Sequence, residues 1–146
     1  MNSEPGRILA VDPGEKRLGL AISDPTQTIA SPLMVLNSQS MKKDALAILE
    51  IASDQGAVLI VIGQALHWDG AESAQAEGSR KLAELLKELG PLEVDLADEF
   101  GTTQAARNAR LEMNVSRKKR SGHLDDLAAT ILLQNYLDAA ETGEQG

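Results

Sequence analysis

Acidic residues at three separate places in the chain are the ones best suited to chemistry. Asp12 follows the apolar run ILAV, Asp98 and Glu99 follow LEVDLA, and Asp125 lies in LDDLAA near the end. Carboxylates gathered at one place would repel one another unless cations neutralised them, and oxygen-only ligands suit hard ions such as Mg²⁺ or Mn²⁺. Two such ions about 4 Å apart can stabilise the attacking and leaving oxygens of a phosphoryl displacement. If the fold brings these residues together, they predict hydrolysis of phosphodiester bonds.

Each of these residues also has a purely structural interpretation. Asp12 begins the sequence DPG, which fits a tight turn, and Glu99 suits the N-terminus of a following helix. Asp125 falls in the first turn of a predicted helix, where the macrodipole stabilises an acid by roughly 0.3–1 kcal/mol. However, apolar residues follow Asp125 at i+3, i+4 and i+7, which places it on the face that packs against the sheet. A buried carboxylate without a partner is costly, so this spacing favours a ligand.

Five apolar runs are predicted strands: residues 7–11, 18–22, 33–36, 57–62 and 92–97. The short connection at residues 12–17 predicts an antiparallel hairpin between the first two strands, and Pro32 suits the first residue of the third. The fourth run, AVLIVI, is apolar throughout, as expected of a strand near the middle of a sheet with helices on both faces.

Helical periodicity predicts four helices between and after these strands, over residues 45–55, 71–89, 102–113 and 124–137. Gly56 ends the first, Gly90 and Pro91 end the second, and Thr102 or Thr103 caps the third. A strand meander followed by strand and helix alternation predicts a mixed α/β sheet. Sites in such sheets form beside the carboxyl ends of strands, where Asp12 and the pair at 98–99 are expected.

Composition predicts one soluble cytoplasmic domain over residues 1–146, with tails at 1–6 and 141–146. The chain has no Cys, no signal peptide and no apolar run near the roughly 18 residues of a membrane helix, so no membrane partner is expected. The net charge of -8 confines nucleic-acid binding to local basic groups. These are Lys16 and Arg17 in the hairpin and the run RKKR at 117–120, each with the alternative of an ordinary solvated charge.

Several motifs resemble those of the YqgF family, whose members are described as pre-16S rRNA nucleases and Holliday junction resolvases. They are DPGEKRLGLAISD, GQALHWDG, DEFGTTQAA, VSRKKR and LDDLAA, in family order from about residue 8 to residue 137. The resemblance implies a ribonuclease H-like fold with a mixed five-stranded sheet. It assigns Asp12, Glu99 and Asp125 as catalytic residues and ligands of Mg²⁺ or Mn²⁺, with Asp98 as a further ligand.

The resemblance also implies a partner and a reaction. Structured nucleic acid is the expected substrate, with the 5′ end of precursor 16S rRNA favoured over branched DNA and with ribosome precursors as the larger assembly. The groups available for its phosphates are basic: Lys16, Arg17, Arg117, Lys118, Lys119 and Arg120. The family usually has Arg where this chain has Phe100, which removes a bidentate phosphate donor.

Three alternatives to an rRNA endonuclease follow from the same residues. One is a DNA nuclease that resembles junction resolvases, and another is a noncatalytic, nucleic-acid-binding ribosome-assembly factor with the same fold. The third is an actin-like phosphotransferase, whose phosphate hairpin also starts with Asp-x-Gly. That class needs two such domains, and one is predicted here.

Overall fold

The computed structural model describes residues 5–14, 16–64, 74–98 and 124–142. These residues form five strands and three helices: β1 (Arg7–Pro13), β2 (Arg17–Ser23), β3 (Ala30–Asn37), α1 (Met41–Gln55), β4 (Ala57–Gln64), α2 (Ala74–Leu89), β5 (Glu93–Asp98) and α3 (Leu124–Thr142). None of the three helices is long and apolar enough to cross a membrane. The helix predicted over residues 102–113 lies outside the described residues.

One sheet in the order β3-β2-β1-β4-β5 joins all five strands. β1 pairs antiparallel with β2, and β2 pairs antiparallel with β3, whereas β4 runs parallel to both β1 and β5. The predicted mixed sheet, with a meander followed by parallel strands, is confirmed. β1 is the central strand, and its residues 8–11 are buried because strands flank it on both edges and helices cover both faces.

Asp12 is a strand residue and not the first residue of a turn, so the turn interpretation is wrong. β1 continues to Pro13, and Asp12 pairs with Gly19 of β2. The turn is tighter than predicted, because the Gly14 N–H donates to the Arg17 carbonyl oxygen at 2.8 Å. A Cβ on Gly14 would lie 2.8 Å from that oxygen, which explains the glycine.

β3 begins at Ala30, so the prediction that Pro32 starts the strand is wrong. The strand tolerates Pro32 because β3 is the edge of the sheet, where one side needs no ladder partner. The pairing register also shifts between Leu20 and Ala21, directly opposite this proline. The β2–β3 ladder is thus irregular at the position where Pro32 supplies no N–H.

Helix α1 ends before Gly56 as predicted, but it begins at Met41, earlier than the predicted start at residue 45. The Ser40 side chain caps its start by accepting from the Lys43 N–H, and Gly56 ends it with a left-handed φ of 71°. Asp44, 8% exposed, accepts hydrogen bonds from the Ser38 hydroxyl at 2.7 Å and from the Gln39 N–H at 2.9 Å. The buried carboxylate therefore ties the first turn of α1 to the end of β3.

Helices cover both faces of the sheet. Leu9 and Val11 of β1 pack with α1 and α2, whereas Ile8 and Ala10 face α3. The predicted leucine stripe of α2 buries Leu82 and Leu86, but Leu89 is 39% exposed because it is the last residue of the helix. Val58, near the start of β4, is 46% exposed, so the helices do not fully cover the first residues of that strand.

Two elements extend further along the chain than predicted. β5 ends at Asp98, one residue later than expected, and α3 continues to Thr142, two residues into the segment predicted as a tail. At the other end, the Gly6 N–H donates to the Pro25 carbonyl oxygen at 2.9 Å. Gln27 Nε2 donates to the Gly6 carbonyl oxygen at 3.0 Å, so this residue is anchored to the β2–β3 connection.

Candidate active site

The carboxyl ends of β1, β4 and β5 meet at one edge of the sheet. These three strands are parallel neighbours, with Val11 beside Ile62 and Gln64 beside Asp98. This edge, called the carboxyl edge below, is where an α/β sheet places its ligands. Asp12 is next to last in β1, and Asp98 is the last residue of β5. Glu99 follows Asp98 directly in the chain.

Asp12 projects toward the face that α3 covers. Side chains alternate along a strand, so Asp12 shares its face with Ile8 and Ala10, which pack with Ala129 and Leu133 of α3. Its side chain is half-buried. A carboxylate in this position loses part of its hydration, which makes a cationic partner more favourable than it would be in open solvent.

Helix α3 runs from the carboxyl edge back across the sheet. Gln134 accepts a hydrogen bond from the Ala30 N–H at 2.9 Å and donates to the Thr28 carbonyl oxygen at 3.0 Å, at the opposite edge where β3 begins. Ala128 and Ala129 are buried, so the first half of α3 lies over the sheet and not beyond it. The first turn of α3, which contains Asp125, is therefore directed to the carboxyl edge.

The structure describes the backbones that carry three of the four predicted metal ligands. Asp12 is described completely, whereas the side chains of Asp98 and Asp125 and all of Glu99 lie outside the described part. Within that part, no three acidic or histidine side chains form a group that could hold a metal ion. Because the predicted set needs side chains outside it, the convergence of these carboxylates stays a prediction.

The predicted basic residues are partly described. Lys16 and Arg17 are exposed in the β1–β2 hairpin, four and five positions after Asp12. The run at 117–120 and Phe100 lie outside the described residues.

Gln64 at the carboxyl edge was missed by sequence reasoning. It ends β4, between β1 and β5, and its Nε2 donates to the Ala76 carbonyl oxygen at 3.3 Å. This bond ties the end of β4 to the first turn of α2. A polar residue that follows the apolar run AVLIVI after a single glycine is the signal that points to such a position.

Asp24, the other aspartate of the hairpin motif, has a structural role. Its carboxylate accepts hydrogen bonds from the N–H groups of Thr28 and Ile29, both at 2.8 Å, and from the Thr26 hydroxyl. The bonds from Ile29, Thr26 and Thr28 lower the pKa of Asp24 well below its ordinary value. It shapes the β2–β3 connection, at the edge opposite Asp12.

Comparison with protein families identifies the chain. The family model described as "RuvX: Holliday junction resolvase" matches residues 6–139. The chain belongs to the RuvX family. A relative in Endomicrobium trichonymphae, named "Putative pre-16S rRNA nuclease", is 44% identical over 133 residues, 90% of this chain and 95% of the relative. A RuvX relative of the same name in Paracoccus denitrificans is 38% identical over 91% of this chain and 84% of its own length. The predicted YqgF resemblance is thus confirmed.

Solved structures establish the fold of this RuvX protein. RuvC of Thermus thermophilus, in a complex with a Holliday junction substrate, superposes with a TM-score of 0.63 over 94% of this chain and 96% of that one, at 15% identity. The Holliday junction resolvase of fowlpox virus gives a TM-score of 0.55 over 91% and 99%, at 16% identity. The predicted ribonuclease H-like fold is confirmed.

Proposed function

We propose that this RuvX protein is a metal-dependent endonuclease that hydrolyses phosphodiester bonds near the 5′ end of precursor 16S rRNA. One observation carries the proposal: Asp12 is half-buried at the carboxyl edge, on the face of α3, whose first turn is directed to the same edge. The names of the relatives supply the substrate, and the chain covers nearly their whole length. Precursor rRNA, within a ribosome precursor, is accordingly the proposed partner.

The donor set fits Mg²⁺ or Mn²⁺, because it consists of carboxylate oxygens alone. Asp12, Glu99 and Asp125 would hold the metal, with Asp98 as an additional ligand. When bound, such a metal supplies Lewis acidity toward the oxygens of the scissile phosphate. The partial burial of Asp12 supports this assignment, since a cation offsets the lost hydration of its carboxylate.

Basic residues would hold the nucleic acid, while the carboxylates serve the reacting phosphate. Lys16 and Arg17 are exposed on the hairpin that begins directly after Asp12, so they can reach phosphates of a strand lying along the carboxyl edge. Arg117, Lys118, Lys119 and Arg120 are proposed to contribute further phosphate contacts. Such contacts position a substrate without reading its sequence, which suits recognition by shape.

A four-way DNA junction is the second candidate substrate. The description of the family model, Holliday junction resolvase, favours it. The names of the relatives favour the RNA and the description of the family model favours the junction, so an assay with both substrates decides between them.

The proposal is tested with Asp12→Asn, which removes the charge and keeps the shape. Wild type and variant are incubated with a labelled RNA spanning the 5′ end of precursor 16S rRNA and with a labelled four-way junction, each in Mg²⁺, Mn²⁺ or EDTA. Wild type should cut the RNA only with metal, and Asp12→Asn should lose on the order of 100-fold or more in rate. Its melting temperature in metal-free buffer should not fall, because functional carboxylates usually cost stability.

Asp54→Asn is the matched control. Asp54 is an exposed carboxylate in the last turn of α1, so the substitution removes the same charge away from the carboxyl edge. It should leave the cleavage rate unchanged. Cleavage of the junction alone would replace the RNA assignment by the second candidate. Binding of both substrates without cleavage in either metal would reject the nuclease and leave a noncatalytic assembly factor.

A further inference from the structure

Two lysines that no motif includes lie at the same edge of the molecule as Asp12. Lys42 and Lys43 are in the first turn of α1 and are exposed. β3 runs parallel to β1, so its end, and the α1 helix that follows it, begin at the carboxyl edge. Lys42 and Lys43 together with Lys16 and Arg17 are called the hairpin–α1 surface below.

Hydrogen bonds hold the two halves of this surface together. Arg17 pairs with Asn37 at the end of β3, and the Ser38 N–H donates to the Lys16 carbonyl oxygen at 2.8 Å. Asp44 then accepts from the Ser38 hydroxyl and the Gln39 N–H, which draws the start of α1 onto the same connection. The tip of the hairpin and the first turn of α1 are therefore one connected unit.

The hairpin–α1 surface is locally basic, whereas the molecule as a whole is acidic. The chain has a net charge of -8, yet residues 15–17 and 42–44 together contain four basic side chains and two acidic ones. Arg80 and Lys81 form ion pairs with Glu77 and Glu84 within α2, whereas no ion pair of Lys16, Lys42 or Lys43 with another described residue is present. Cations in the first turn of a helix also oppose its macrodipole. Helix stability therefore does not account for Lys42 and Lys43.

We propose that Lys42 and Lys43 bind backbone phosphates of the nucleic acid and extend its path from the hairpin onto the α1 side of the sheet. The inference rests on the proposed function, since it assumes a nucleic-acid strand at the carboxyl edge. Lysine provides a compact charge on a flexible stem, which suits phosphate contacts that do not depend on sequence. The surface joins a hydrogen-bonded backbone to exposed charged side chains, as expected of a positioning contact.

The test measures binding in the Asp12→Asn background, so that cleavage does not interfere. The probe is a fluorescein-labelled RNA spanning the 5′ end of precursor 16S rRNA, titrated by anisotropy at several salt concentrations. Lys42→Ala with Lys43→Ala should weaken binding several-fold. It should also reduce the slope of log K against log salt by roughly 0.7–0.9 for each lost contact. Because both changes remove cations from a helix start, the melting temperature should be equal or higher.

The control removes two charges elsewhere. Lys81 and Lys87 are exposed on α2, and Lys87 lies in its last turn, away from the carboxyl edge. Lys81→Ala with Lys87→Ala should leave the salt slope unchanged. An unchanged slope in the Lys42, Lys43 variant, or an equal fall in both variants, would overturn the inference. Failure of the proposed function would show separately, as RNA that remains uncut by the protein with wild-type Asp12.

Discussion

At the scale of single residues, two aspartates in one motif have different surroundings. Asp24 has its carboxylate occupied by the backbone and hydroxyl groups of its own turn. Asp12 lies in a strand whose backbone is paired on both sides, so its side chain is not needed to form a turn. The same residue type therefore shapes a turn where local N–H groups surround it, and it does not do so where the sheet already satisfies the backbone.

Asp24 makes the stability of the protein depend on pH. Its folded pKa lies below the ordinary value of 3.8, so the ionised form stabilises the fold above that pH, and this contribution is lost as the pH falls further. Asp24→Ala should therefore lower the melting temperature at neutral pH. The difference from wild type should shrink below about pH 4, measured by circular dichroism in a pH series. A melting-temperature difference that stays constant between about pH 4 and about pH 2 would contradict this role of Asp24.

At the scale of elements, the hairpin after Asp12 depends on a close backbone approach. Gly14 has room for no side chain, since its N–H and its missing Cβ both face the Arg17 carbonyl oxygen. A Cβ on Gly78, within α2, would meet nothing within 4 Å beyond its own stretch of helix among the described residues. The two glycines thus provide a matched pair, one required by its surroundings and one not.

Alanine at the two glycines should have opposite effects on the free energy of unfolding. Gly14→Ala should cost about 1–3 kcal/mol, because the new carbon would meet a backbone oxygen that cannot move without opening the turn. Gly78→Ala should stabilise by about 0.5–1 kcal/mol, because glycine is a poor residue inside a helix. Urea denaturation measures both. Equal effects of the two substitutions would show that the approach to Arg17 is not a constraint in solution.

At the scale of the whole molecule, the carboxyl edge gathers positive charges that the negative net charge of the chain does not reveal. The first turns of all three described helices are connected to this edge: α1 through Ser38, α2 through the bond from Gln64, and α3 through its direction across the sheet. The positive ends of their macrodipoles therefore add to the basic side chains there. An acidic protein can in this way present a local attraction for phosphate.

The run at 117–120 should add to this attraction. Replacing Arg117, Lys118, Lys119 and Arg120 together by Ala should weaken binding of the labelled precursor RNA and lower its salt slope. Each lost phosphate contact should lower that slope by roughly 0.7–0.9. The Lys81, Lys87 variant again serves as the control for a change in net charge. A salt slope equal to that of wild type would remove this segment from the binding surface.

The sequence predicted well those structural features that depend on neighbouring residues. The end of α1 before Gly56 and the apolar β4 strand depend on neighbouring residues and on periodicity. The sheet type followed from the order of these elements. Errors arose where distant pairing outweighed local preference. The turn interpretation of Asp12 failed because pairing with Gly19 extends β1 past it, and Pro32 lies within β3 because that strand is at the edge of the sheet.

The candidate site likewise has some features that the sequence predicts and others that depend on contacts between distant residues. The sequence by itself determined which carboxylates and basic residues could form a site. These residue types, and the position of Asp125 on an apolar helix face, can be recognised without a structure. Only the tertiary structure decided that Asp12 faces α3, that Gln64 connects β4 to α2, and that the connection leading into α1 bonds the hairpin through Ser38 and Lys16. These relations depend on sheet order, on strand alternation and on hydrogen bonds between residues far apart in the chain. No local pattern encodes them, since contacts of this kind form only when separate elements pack together.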